Sequence, residues 1–159
     1  MDKWPLEAVL PHRPPMILLS DYEPDSFTDE GVCASVTVTE NDLFYDAARE
    51  GVPASVAIEY MAQTVACYVG LMQRRQARPP RIGFVLGSRK IEWTIPLFKR
   101  GEWYRIRARL LFTDDAFASF ETVITDGDGE TVASGIVNAF QPEDAKVFLE
   151  AENGGKEER

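Results

Sequence analysis

The chain has 159 residues, 45% hydrophobic and 27% charged, and its 17 Lys and Arg against 26 Asp and Glu give a net charge of −9. That length supports one hydrophobic core without covalent staples, and the acidic balance excludes general nucleic-acid binding while leaving room for a local basic patch. Cys33 and Cys67, the only cysteines, lack metal-ligand spacing and are expected as reduced, buried thiols, so neither metal nor cofactor is predicted.

The opening MDKWPLEAVLPHRPP carries no long apolar signal region, and no run approaches the roughly 18 apolar residues of a membrane span, so a soluble, cytoplasmic protein without membrane insertion is expected. MDKWPLEAVL predicts a short turn or helix stopped by Pro11, and HRPPM then turns the chain into an extended ILL segment. SDYEPDSFTDEG reads as a polar connection. From Gly31 to Thr39, Val32, Ala34, Val36 and Val38 alternate with Cys33, Ser35, Thr37 and Thr39, which is strand periodicity.

NDLFYDAAREGVP is turn-like, and Pro53 is placed to enter a helix. The run from Ser55 to Met72 is hydrophobic nearly all round, the pattern of a central, buried helix. Ser55 is positioned to cap its first turn, although Ile58 rules out a reciprocal capping box. Gly70 suits close packing against another element, and QRRQARPPR ends the helix. Met61, Met72, Tyr60 and Tyr68 read first as core, with an acyl channel as the competing use.

Beyond Pro80 the character is β. IGFVLGSRKIEWTI predicts one or two strands interrupted around Gly87, and in WYRIRARLLF a face of Tyr104, Ile106, Ala108 and Leu110 opposes a solvent face of Trp103, Arg105, Arg107 and Arg109. FASFETVIT and TVASGIVNAF follow, joined by DGDGE, which fits a hairpin turn and lacks the rest of a calcium loop. GSRK lacks the spacing of a nucleotide phosphate loop. The expectation is one α+β domain over 1–145 with a charged tail at 146–159: a curved antiparallel sheet wrapped around one long apolar helix, whose open side is covered by dimerisation.

Glu59 interrupts the apolar helix and shares a face with Gln63, four residues on. Burial there favours the proton-bearing form of a carboxyl, making Glu59 the leading candidate for a catalytic acid. The bland alternative is a carboxyl that reaches solvent or bonds Gln63. The partner base is less evident. His12, the only histidine, reads by position as structural before catalytic, while Tyr45 and Asp46 reach Glu59 if their loop folds over the helix start. Asp46 is a weak base at neutral pH. Backbone N–H groups of Ala54, Ser55 and Val56 lie where a helix start stabilises a developing negative oxygen, such as that of a polarised thioester. Arg74, Arg75, Arg78, Arg81, Arg89 and Lys90 form either a solvated helix exit or a docking rim for an acidic partner.

LPHRPPMILLSD, NDLFY followed by PASVAIEYMAQ, and GFVLGSRKIEWTIPLFKRGE occur in that order across residues 6–140. Together they resemble the hotdog-fold 3-hydroxyacyl-acyl-carrier-protein dehydratases of fatty-acid synthesis. HRPPM, GVPASVAIEYMAQ and NAFQP are similar, more closely, to predicted hotdog dehydratases found with aryl polyene pigment pathways. The resemblance implies paired subunits forming substrate tunnels, an acyl carrier protein as partner and a trans-2-enoyl thioester as product. In that family a loop histidine removes the proton alpha to the thioester, and a helix acid of the other subunit assists loss of the 3-hydroxyl. The acid carries onto Glu59, the oxyanion-supporting helix start onto Ala54 and Ser55, and support of acid or substrate onto Gln63. The pattern breaks at Ala48, where the histidine should fall: DAAREG has none, and losing a general base ordinarily costs about 10²- to 10⁴-fold. Three readings follow: a hydro-lyase using His12 or Asp46, a noncatalytic acyl-binding partner of an active hotdog subunit, paired as a heterodimer rather than a homodimer, and an acyl thioesterase.

Overall fold

In the computed structural model, which describes residues 3–77, 84–114 and 117–140, Pro5 launches a single-turn helix, α1 (Leu6–Val9), that stops at the extended Leu10 ahead of Pro11. Strands β1 (Asp21–Thr28) and β2 (Gly31–Thr37) follow. A short β3 (Gly51–Pro53) leads through a 3₁₀ turn (Ala54–Val56) into the long helix α2 (Ala57–Arg75). After it come β4 (Phe84–Trp93), β5 (Leu97–Lys99), β6 (Trp103–Asp114), β7 (Phe117–Thr125) and β8 (Thr131–Phe140). Six strands form one antiparallel sheet in the order β1-β2-β6-β7-β8-β4, and β3 pairs with β5 alone. Arg78, Arg81 and the 146–159 tail lie outside the described residues.

The alternation in the sequence sets the register. Val32, Ala34 and Val36 of β2 stand opposite Ala108, Ile106 and Tyr104 of β6, and all six are buried. On the outer face Arg105 makes a two-pronged contact with Glu23, and Arg109 pairs with Glu121. The DGDGE turn is a hairpin: Asp126 Oδ1 accepts the N–H groups of Asp128 and Glu130, and Gly129 takes φ +83.

SDYEPDSFTDEG is the first correction, because it contains β1 rather than a connection. As an edge strand it needs ladder bonds on one side only, so Pro24 and its acidic neighbours are tolerated there. Its register slips between Glu23 and Thr28. Within IGFVLGSRKIEWTI the described residues Phe84–Trp93 form a single irregular strand, β4, with register shifts around Gly87 and near Lys90, which has φ +55. β4 pairs only with β8 among the described strands.

α2 buries Tyr60, Met61, Val65, Tyr68 and Leu71, and aromatic edges lock the helix to its cover: Tyr60 to Phe98 at 5.2 Å, Tyr68 to Phe120 at 5.4 Å. Gly70 allows α1 to lie against α2, since a Cβ there would run into the Val9 carbonyl oxygen. Burial pushes the Cys67 thiol up to about 12, and both cysteines are free and buried. The helix is not sealed all round. Ile58, Ala62, Ala66 and Val69 are only half-buried, and their spacing places them along one side, so the sheet leaves one apolar stripe without full cover. Among the described residues, no helix is long and apolar enough to cross a membrane.

Candidate active site

The site begins where β3 hands the chain to α2. Pairing of Val52 with Phe98 and Pro53 with Leu97 fixes the approach, and the Ala54 N–H then donates to the Pro96 carbonyl at 3.2 Å. That bond corrects one expectation: the Ala54 donor is already used and does not await a substrate oxygen. Ser55 does not cap the helix either, because Pro53 turns the chain early and draws Ser55 inside the 3₁₀ turn. No side chain caps α2, whose N-cap is Val56. Ser55 is exposed and Val56 packs against the core.

Glu59 stands in the first turn of α2. The expected buried carboxyl is instead exposed in the single chain, because Glu59 flanks the half-covered stripe begun by Ile58. Gln63 is the reverse case, 1% exposed and aimed inward. Its Oε1 accepts the Leu18 N–H at 2.8 Å and the Leu19 N–H at 3.4 Å, and its Nε2 donates to the Met16 carbonyl at 2.6 Å. The amide therefore pins the segment after HRPP to α2.

That segment carries His12. The Arg13 guanidinium donates to the Glu7, Leu10 and His12 carbonyls, which fixes the backbone around the imidazole. His12 Nδ1 is buried without a hydrogen-bond partner. Burial lowers the proton affinity of the ring below its ordinary value, and the charge of Glu59 pulls it partly back. The fold has brought the lone histidine into the field of the helix carboxyl, 47 positions away in sequence.

The loop candidates have other engagements. Asp46 Oδ1 accepts the Ala48 and Arg49 N–H groups at 3.0 and 3.2 Å, while its backbone exchanges both bonds with Gly51. Its carboxylate builds this turn. Tyr45 is half-buried against the core and donates its N–H to the Asp42 carbonyl. Ala48, the position lacking a histidine, is exposed. At the far end of α2, Arg74 donates to the Ala8 carbonyl at 2.8 Å and stacks 4.8 Å from the Trp4 ring centre. Arg75 pairs with Asp29 and lies over Phe27. Both arginines serve the helix exit, which leaves Arg89 and Lys90, both exposed, as the remaining described members of the basic cluster.

A cavity of about 190 Å³ has no counterpart in the sequence pattern. Ile17, Leu18, Leu43, Phe44, Val52 and Tyr60 are among its walls, drawn from separated segments that no local periodicity connects. The one signal is the Leu43-Phe44 pair set in a polar loop; both side chains stay exposed, at 44% and 40%.

A family model described as ApeP-like, ApeP dehydratase, matches residues 4–150. The chain belongs to the ApeP-like dehydratase family. This ApeP-like chain is similar to a structure of the dehydratase heterocomplex ApeI:P from Xenorhabdus doucetiae, at 28% identity and TM-score 0.84, with 93% of this chain and 97% of that chain covered. More distant structures share the fold. An HP0420 homologue from Helicobacter felis gives TM-score 0.66 at 14% identity, covering 92% of this chain and 96% of that one. A hypothetical thioesterase with coenzyme A from Streptococcus pneumoniae TIGR4 gives 0.59 at 14%, covering 79% and 88%. A search of the curated proteins finds no match. The hotdog architecture implied by the motifs is present, and family membership gives the ApeP-like chain a dehydratase-type role.

Proposed function

We propose that this ApeP-like protein acts in the dehydration of 3-hydroxyacyl thioesters held on an acyl carrier protein, giving the trans-2-enoyl thioester, with Glu59 as the acid that protonates the departing hydroxyl. The observation that carries this reading is the position of Glu59: a carboxyl at the head of the central helix, beside an apolar stripe the chain itself does not cover. A second hotdog subunit laid on that stripe encloses Glu59, and desolvation then favours its proton-bearing form. The open edge of β4 offers a place for such a subunit to add strands. With Ala54 engaged, the Ser55 N–H and the field of the helix start are what remain to steady negative charge on the thioester oxygen. Arg89 and Lys90 supply the rim for the acidic carrier, and a carrier-borne substrate fits a cytoplasmic location.

A second reading makes this chain the acyl-binding partner of an active hotdog subunit that contributes the missing histidine. Ala48 and the committed Ala54 N–H favour it, as does the similarity to a heterocomplex. The two readings separate in one assay. The purified chain, alone and mixed with an active hotdog dehydratase, is given 3-hydroxyacyl-carrier substrates. Enoyl product from the chain alone, lost in Glu59→Gln, supports the first reading. Product only in the mixture, unaffected by Glu59→Gln, supports the second, and release of free carrier thiol without enoyl product supports a thioesterase.

A further inference from the structure

We propose that His12 and Glu59 of the same subunit form the proton-exchanging pair of this site, His12 taking the place of the histidine absent at Ala48. The inference rests on the dehydratase reading of Glu59 and adds the base that reading lacks.

Two geometric observations and one electrostatic one support it. First, the segment bearing His12 is held rigidly: the Arg13 guanidinium spans the carbonyls of Glu7, Leu10 and His12, and Gln63, one helical turn beyond Glu59, grips Met16 and Leu18. A pinned backbone is what a base needs, because small displacements cost rate steeply. Second, Nδ1 is buried with no partner. A buried polar atom left unpaired is costly, a penalty that a merely structural imidazole avoids by turning to a carbonyl. Third, Glu59 is the carboxylate whose charge reaches the ring, and the two make no direct ion pair among the described residues. The neighbouring Arg13 is turned to backbone carbonyls.

The chemistry balances. His12 accepts the proton from C2 of the acyl chain, the C–H electron pair becomes the C2=C3 bond, and the C3–O bond breaks as Glu59 gives its proton to the hydroxyl. Water leaves. His12 then carries one proton more and Glu59 one fewer, and transfer between them restores both. No oxidant, reductant or metal enters the step.

Because the chain has one histidine, ¹⁵N-histidine NMR reads this ring without assignment ambiguity. In the 159-residue chain, Glu59→Gln removes the negative charge and should lower the His12 titration midpoint. An unchanged or raised midpoint overturns the pairing, whether or not the protein dehydrates anything. The second arm is catalytic. On an accepted 3-hydroxyacyl-carrier substrate, His12→Asn should lower kcat by about 10²- to 10⁴-fold with KM little changed, and added imidazole should restore part of the activity of His12→Gly. Full activity in His12→Asn, or a loss matched by a fallen melting temperature and not rescued by imidazole, refutes His12 as the base. A coupled midpoint with no enoyl product from any preparation leaves the pair standing and rejects the dehydration reading instead.

Discussion

Replacing Gln63 by Leu tests the clamp that joins the first 19 residues to the central helix. The substitution keeps the volume and removes the amide, so the Met16 carbonyl and the Leu18 N–H lose bonds of 2.6 and 2.8 Å; the 3.4 Å contact to Leu19 is marginal and adds little. Each stranded buried backbone group costs about 1–3 kcal/mol. Two of them, less the gain from burying a more apolar side chain, give a net loss of about 2–4 kcal/mol. For a chain of this size that lowers the melting temperature by roughly 5–15 °C. Urea denaturation followed by fluorescence should show an earlier midpoint with an unchanged slope, since the surface exposed on unfolding is the same. A shift under about 0.5 kcal/mol, the range of an ordinary surface substitution, would mean that water satisfies those groups and that Gln63 is no clamp. Gln63→Glu provides the companion measurement: its carboxylate still accepts from Leu18 but repels the Met16 carbonyl, so it too should destabilise.

Gly70→Ala should destabilise by about 1–3 kcal/mol, measured by thermal melting, because the new methyl meets the Val9 backbone rather than a side chain that swings aside. Arg74→Ala should cost about 1–2 kcal/mol through the lost Ala8 bond and Trp4 stack, while leaving affinity for a carrier protein unchanged in a binding titration. Stability should fall as pH rises above about 9. The unfolded Cys67 thiol ionises near its ordinary 9.0 while the folded one holds its proton to about 12, so in that window the native state binds more protons and loses up to about 1.4 kcal/mol per pH unit. The buried Tyr60 phenol, also raised, adds to the loss, and chemical denaturation at stepped alkaline pH reads it directly.

What could be read from the chain alone follows the range of the forces involved. The faces of β2 and β6 were legible because alternation is a local property: Ile106 and Ala108 must point together whatever surrounds them. β1 was hidden because edge position, which excuses Pro24, is a fact about neighbours. Glu59 was conspicuous against its apolar neighbours, yet its exposure depends on what covers Ile58 and Ala62, and no pattern along the helix encodes that. Ser55 failed as a cap for a local reason, since Pro53 allowed the turn to begin early. Arg74 and Arg75 stood open between helix exit and docking rim because their partners, Trp4, Ala8 and Asp29, are remote in the chain. The reach of Glu59's charge to His12 has the same origin, since Gln63 pins the segment after His12 to the central helix across a long sequence separation.

The contact of Arg74 with Trp4 and Ala8, together with Val9 seated on Gly70, works as a latch thrown across the rear of the central helix by the chain's own beginning. It closes that end of the helix by packing. A load placed on Trp4 therefore pulls on a bolt whose catch lies some seventy positions downstream.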